Sequence, residues 1–559
     1  MSKTARRPRQ PAAHAPAPAV TAHPVPRYRL PSELALGCLL VLFFALRAFA
    51  LLPHPADEGI YFYGALRWSQ GLWPYRDFFF AHPPLHLLPN AALFKLFGFS
   101  LGVAKMLTFL SASFVGVAAY AVTIRLAPTT NKTARQVAAL MAATAVLFAE
   151  SLLKAASTDT GICQASACVA LAAVLLCWSR PMAAGAAAAA APLTLLQAGP
   201  AAAVVVAASL LLGKRTASRC FAAAVGVFAS VHAVFWVIGG RAFWQQVYGF
   251  HLDKVGAEGE GLAQLGFVVF DNWTLFVLAA TGALALAWGD RKARVLAALA
   301  AAAAALTLVA MATRPRVFPF YFQPAFFPLS LLVGWGFAQL LDRAALWWAG
   351  RRQRWQPTLA LGVPVMFLAL VAGPLANTLA AAVSPRRAEQ LRTYTQTYSW
   401  VDAPGLGAVN ALIKALFWQD GVRVVNEDAN AITQYLWQRS RWLNTAPAMV
   451  DAVRAQAAHL SQPSLFGDST VAPLVALQAG LPVTSDLVDT NLQRIRTGNL
   501  QLSEVVSMLD TSPQALLLLG QSGGIGTLPE LRAYVAAHYT LVNNFISAHG
   551  YQYGLWRRR

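Results

Sequence analysis

The stretch 181-PMAAGAAAAAAPLTLLQAGPAAAVVVAASLLLG-213 decides the class of fold. It contains no Asp, Glu, Lys, Arg or His. A bilayer-spanning helix needs about 20 apolar residues without charge, and a water-soluble domain has no use for such a run. Gly199-Pro200 divides the stretch into two short Ala-rich halves. The rest of the chain agrees. Of its 559 residues, 57% are hydrophobic and 12% charged, against roughly 25% charged for an ordinary soluble domain. The net charge of +20 would suit a nucleic-acid binder, but such proteins are rich in charge and lack long apolar runs. The composition therefore excludes a soluble basic protein, and it excludes disorder over most of the chain.

The apolar runs predict about eleven spans, at 33–53, 101–124, 136–153, 160–179, 182–196, 198–213, 220–239, 264–288, 295–312, 317–341 and 358–382. With the N-terminus in the cytoplasm, the inside segments carry about 20 Lys and Arg and the outside loops of the membrane part about nine. Arg125, Lys132 and Arg135, then Lys214, Arg215 and Arg219, then Arg291, Lys292 and Arg294 all fall on the inner side. This positive-inside bias favours an odd number of spans, which places everything after residue 382 outside. The excess charge is thus mostly a topological signal.

Residues 1–31, rich in Pro, Ala and Arg, read as a disordered cytoplasmic tail. The first apolar run is too long for a cleavable signal peptide and has no small-residue cleavage site after it. All five cysteines fall in or beside apolar runs, which argues against a disulfide framework or a zinc site. Residues 32–382 form the membrane domain, and 383–559 are expected to form an extracytoplasmic α/β domain. There, 421–425 (GVRVV), 464–467 (SLFG), 481–484 (LPVT) and 515–520 (ALLLLG) read as short buried strands. Residues 447–460 and 472–479 read as helices, and 539–545 with 551–556 as a terminal hairpin.

The segment after the first span, 54-HPADEGIYFYGALRWSQGLWPYRDFFFAHPPL-85, carries the chemistry. Asp57 and Glu58 sit about one turn outside the membrane. Asp57 is placed to open a helix that runs to Gln70 and that Gly71 stops. Tyr61, Trp68 and Trp73 suit the interface. A bare Asp-Glu pair is as well explained as a helix cap. Here a third carboxylate, Asp77, and His82-Pro-Pro-Leu follow, and the prolines fix the backbone as it returns toward the membrane.

Asp57-Glu58 just outside the first span, then Gly71-x-x-Pro74-Tyr75-x-Asp77 and His82-Pro83-Pro84-Leu85, resembles the GT-C membrane glycosyltransferases. The branch it is most similar to holds protein O-mannosyltransferase and the lipid A aminoarabinose transferases. The resemblance is strong over about 45–110, general over the remaining spans and weak in the C-terminal domain. It implies transfer of a sugar from a polyprenyl-phosphate donor to a glycan, lipid or protein acceptor on the outer face of a bacterial inner membrane. It implies that Asp57 is the general base and that the anomeric centre inverts, with Glu58 beside it. It places Asp159, in the loop between the third and fourth spans, as a second catalytic acid. Lys154 stands where relatives often have Arg, and pairing of Lys154 with Asp159 is an equal alternative. His82 stands where some relatives have Lys, and a neutral His holds phosphate more weakly.

Further candidates for the donor's phosphate and sugar come from the residues themselves. The loop 240–263 holds His251 and Lys254, on the same side as Asp57. Arg314 and Arg316 flank Pro315 at the outer mouth of the tenth span, with Tyr321 just inside. A leaving phosphate needs cations, and Arg offers a planar fork for it. Anchoring of the span at lipid headgroups is the competing reading. In the C-terminal domain, Asp468, Asp486 and Asp489 follow strands. They read as turn chemistry or as an acceptor-binding loop. No nucleotide motif is present, since Ser522-Gly-Gly-Ile-Gly526 lacks phosphate-loop spacing. Carboxylates alone leave a divalent metal cofactor undecided. The competing functions are a transporter or flippase of lipid-linked sugars, which predicts charges buried mid-span and internal repeats, and a non-catalytic glycan-binding relative.

Overall fold

A computed structural model describes residues 30–47, 57–149, 158–254, 259–350, 448–521, 523–546 and 552–559, together with 152, 156 and 256. The first half is a succession of helices. In chain order they are α1 (Leu30–Arg47), α2 (Glu58–Ser69), α3 (Leu88–Phe97), α4 (Leu101–Leu126), α5 (Lys132–Leu147), α6 (Ile162–Cys177), α7 (Pro181–Thr194), α8 (Gly199–Ala208), α9 (Lys214–Trp244), α10 (Glu260–Asp271), α11 (Trp273–Ala287), α12 (Arg291–Ala312) and α13 (Phe326–Gly350). Polar caps set several starts. Ser100, Asn131 and Asp290 each accept a backbone N–H from the first turn of α4, α5 and α12. Pro181 and Pro200 stand at the first turns of α7 and α8, where a missing N–H costs nothing.

In each of the first ten apolar runs the described residues are mainly helical. Among the described residues, four helices are long and apolar enough to cross a membrane: Leu101–Leu126, Lys214–Leu252, Arg291–Ala312 and Pro319–Ala345. A fifth arises if α10 and α11 count as one span. They do not form a straight one, because the chain bends by 85° between them. Asn272 sits at the bend with non-helical backbone, and its amide donates to the Val268 carbonyl at 2.8 Å. The expected eleventh run, 358–382, and the tail 1–29 lie outside the described residues.

Small side chains let the helices approach closely. Ala118, Ala138, Ala142, Ala170, Ala191 and Ala300 are buried in the core of the helical half, with Phe109, Phe148, Phe326 and Trp335 filling the wider gaps.

The C-terminal domain comprises a helix over 448–457, β1 (Ser464–Gly467), α14 (Ala472–Ala479), α15 (Leu492–Arg496), α16 (Leu502–Thr511), β2 (Ala515–Gly520), α17 (Pro529–His538), β3 (Tyr539–Ile546) and β4 (Gln552–Arg558). The sheet order is β1-β2-β4-β3, with β1 parallel to β2 and the rest antiparallel. The mixed sheet and terminal hairpin match expectation. The run 481–484 is not a strand: it makes one bridge, Val483 to Leu465, and then a 3-10 turn begins at Thr484. The GVRVV run lies outside the described residues.

One apolar cluster joins the two halves. Ile60, Phe62, Tyr75 and Phe243 pack with Leu465, Leu474, Val475 and Leu516. The contact is close at Gly59, where any Cβ would meet the Leu474 backbone nitrogen at 3.1 Å. A side chain there would require α2 and α14 to give way by a few tenths of an ångström.

Candidate active site

Asp57 is the residue preceding α2. Its backbone carbonyl accepts the Tyr61 N–H at 3.2 Å, and its side chain does not cap the helix. The carboxylate is left for other partners. Asp57 keeps a partial opening to solvent, yet the protein around its carboxyl removes most of the water. That burial, with the nearby Asp489 carboxylate adding to it, raises the Asp57 pKa to about 6 against the opposing charges of Lys254 and Arg316. Lys254 answers in kind. Burial brings its pKa down to about 8, although Asp57 and Asp489 favour its charged form.

Lys254 is carried there by the end of α9. A single π-helical turn, Gln245–Gly249, follows that helix. The inserted residue of such a turn re-aims the side chains beyond it. His251 Nε2 meets the Ala81 carbonyl at 2.6 Å, and Lys254 Nζ lies 4.9 Å from the centre of the Phe250 ring. His251, Lys254, Arg314, Arg316 and Tyr321 together line a cavity of about 160 Å³. The loop 240–263 and the segment after the C-terminus of α12, read separately in the sequence, thus converge on one site.

Tyr61 is its hub. The hydroxyl is 2.9 Å from His82 Nε2. Burial, then Asp57, Tyr321, Asp489 and Asp159, hold its proton far more tightly than a free phenol does. The His82 ring lies 5.2 Å from that of His251 and 5.5 Å from that of His86. Burial first, and then the nearness of His251, His86 and Lys254, holds the His82 pKa well below the usual imidazole value and keeps the ring neutral. It is therefore a hydrogen-bonding wall of the site and supplies no charge to a phosphate.

Asp159 is fully buried. It accepts from Asn90 Nδ2 at 2.8 Å and from Gln164 Nε2 at 2.7 Å. Burial raises its pKa, partly offset by these amides. Gly161 makes the loop possible, with φ of 75° just before α6 and the His86 ring 3.0 Å from where a Cβ would be. Glu58 faces the same loop. It is buried, accepts from Lys105 Nζ at 2.6 Å and from the Asp159 N–H at 3.1 Å. Its carboxylate supports the Asp159 loop. Asp77 lies apart from the site: it pairs with Arg76 at 2.7 Å and accepts the Trp73 N–H, closing the turn between α2 and His82. Lys154 lies outside the described residues.

Two contributors were harder to foresee. Lys105 is not singled out by the sequence reading, although a charge inside the apolar run 101–124 is a signal that could have found it. Asp489 belongs to the C-terminal domain, and its proximity to Asp57 has no local signature. Among the described residues no group of three or more His, Cys, Asp or Glu side chains is set to hold a metal ion.

A helical half with a short helix after its first one, closed by a small mixed-sheet domain, is a fold of the GT-C type. ArnT from Cupriavidus metallidurans in the apo state superposes with a TM-score of 0.56 at 15% identity, covering 94% of this chain and 97% of that one. ArnT bound to undecaprenyl phosphate superposes with a TM-score of 0.55 at 14% identity, over the same shares of the two chains. No family model matches the sequence, and no curated protein is significantly similar to it. The likeness is one of fold.

Proposed function

We propose that the protein is a membrane glycosyltransferase that moves a sugar from a polyprenyl-phosphate carrier to an acceptor hydroxyl on the extracytoplasmic face, with inversion. The observation that carries this reading is the meeting of Asp57, a carboxylate with raised proton affinity, with Lys254 and Arg316 beside a cavity. Asp57 takes the acceptor's proton. The freed oxygen attacks the anomeric carbon, and the carbon–oxygen bond to the carrier phosphate breaks. Lys254, Arg314 and Arg316 receive the phosphate's charge. A pKa near 6 leaves Asp57 ionised at neutral pH, yet more basic than an ordinary carboxylate. Tyr61, His82, His251 and Tyr321 shape the floor, and Asp159 is a second acid held beneath it.

In this reading α1, α4 to α9, α10 with α11, α12, α13 and the run at 358–382 make up about eleven spans of a bacterial inner membrane. The N-terminus is cytoplasmic and the C-terminal domain periplasmic. Transfer is favoured over transport because the ionisable residues of the site gather at one end of the helices. Lipid and glycan mass spectrometry of a deletion strain tests the reading and identifies sugar and acceptor. A glycan or lipid lacking one sugar, restored by the wild-type gene, is expected. An unchanged set of glycans and lipids would contradict it.

A further inference from the structure

We infer that the C-terminal domain is part of the active site, supplying Asp489 as a positioning residue that faces Asp57 and Lys254. The inference deepens the transferase reading and rests on Asp57 being its base.

The domain is held against the site by specific bonds. Asp486 accepts from the Tyr63 hydroxyl at 2.9 Å and from Arg67 Nη2 at 2.8 Å, both on α2. The Val483 N–H donates to the same Tyr63 hydroxyl at 2.8 Å. Farther along, the Arg494 guanidinium lies 3.7 Å from the centre of the Phe79 ring, in the turn that leads to His82. Arg494 also donates to the Asp489 carbonyl at 2.6 Å. Asp489 is thus fixed between two anchors, three residues after one and five before the other.

Sheet topology places this loop where ligands are expected. Thr490 donates to the carbonyl of Gly467, the last residue of β1. The loop therefore crosses the carboxyl end of the parallel pair β1–β2, the edge at which open α/β sheets bind their ligands. Asp489 keeps a partial opening to solvent. One carboxylate oxygen accepts the Asn491 N–H at 2.9 Å, which orients the group.

The groups whose charge bears on Asp57 come from four elements. They are Asp489 from this loop, Lys254 beyond α9, Arg316 beyond α12 and Tyr61 on α2. Asp489 is the sole anion among them, so its charge strengthens the base.

The full-length protein in nanodiscs, treated with a hydrophobic carbodiimide across pH 4–9, gives a direct test. The reagent modifies protonated carboxyls, and peptide mass spectrometry reads the extent at Asp57. The wild-type midpoint is expected near pH 6. Asp489→Asn, isosteric and uncharged, is expected to lower it by roughly half a pH unit or more. Asp489→Glu, which restores the charge, is expected to bring it back. A midpoint unmoved in a folded Asp489→Asn protein would overturn the inference, and so would a lowered midpoint that Asp489→Glu leaves low. Failure of the wild type to transfer any sugar would instead overturn the function and leave this titration intact, so the two failures are distinguishable.

Discussion

Glu58 and Lys105 form a fully buried ion pair, with Lys105 Nζ 2.6 Å from Glu58 Oε2. The same Glu58 oxygen accepts the Asp159 backbone N–H. A charge pair between α2 and α4 therefore sets the position of a loop that reaches the site from the start of α6. Removing one partner strands a charge in a dry interior, which costs about 3–5 kcal/mol. Lys105→Met should destabilise the protein by that order in an unfolding experiment. The double variant Lys105→Met, Glu58→Gln should recover a large part of the loss. Equal stability of Lys105→Met and wild type would contradict a buried pair.

Asp486 joins the two halves of the molecule through the buried Tyr63 and through Arg67, which like Asp486 itself remains partly exposed. The ion pair alone is worth less than about 1 kcal/mol at such exposure, and the tyrosine bond adds about as much. Asp486→Ala is expected to lower stability by about 1–2 kcal/mol. Because the loop that carries Asp489 loosens, sugar transfer should fall severalfold more than stability alone explains. Transfer at the wild-type rate would show that the anchor is dispensable.

The pH profile follows from two groups. Asp57, with its pKa at about 6, must be ionised to act as base, so activity falls as pH drops through 6. Lys254, at about 8, must be charged to hold phosphate, so activity falls as pH rises through 8. The profile of kcat/KM for the donor should be a bell with limbs near those values. Lys254→Arg should carry the alkaline limb upward, since arginine keeps its charge. A flat profile from pH 5 to pH 9 would contradict both assignments.

Hydropathy found the helices because burial in lipid and burial in protein make the same demand on composition. It could not find the 85° bend at Asn272, since a run's mean hydropathy carries no direction. Strand 515–520 and the hairpin 539–546 with 552–558 were legible from their apolar patterns. LPVT at 481–484 has the same composition but makes one bridge, because Thr484 turns away into a 3-10 helix. At the site, the Asp57 motif was legible through its resemblance, and His251, Lys254 and Arg316 as candidate donor ligands, with headgroup anchoring the competing reading for the arginine. The role of Glu58 was not, because its partner Lys105 lies 47 positions away on another helix. Asp489 was harder still: the docking of Asp486 on Tyr63, separated by 423 positions, and of Arg494 on Phe79 holds its loop against the helical half.

The central claim is that Asp57 deprotonates the acceptor. The most direct measurement is the rate of sugar transfer from a polyprenyl-phosphate donor by membranes carrying Asp57→Asn, with insertion and folding matched to wild type. Loss of general-base catalysis predicts a rate lower by about 10²–10⁴-fold, with donor binding retained. Transfer within a few-fold of wild type would contradict the account.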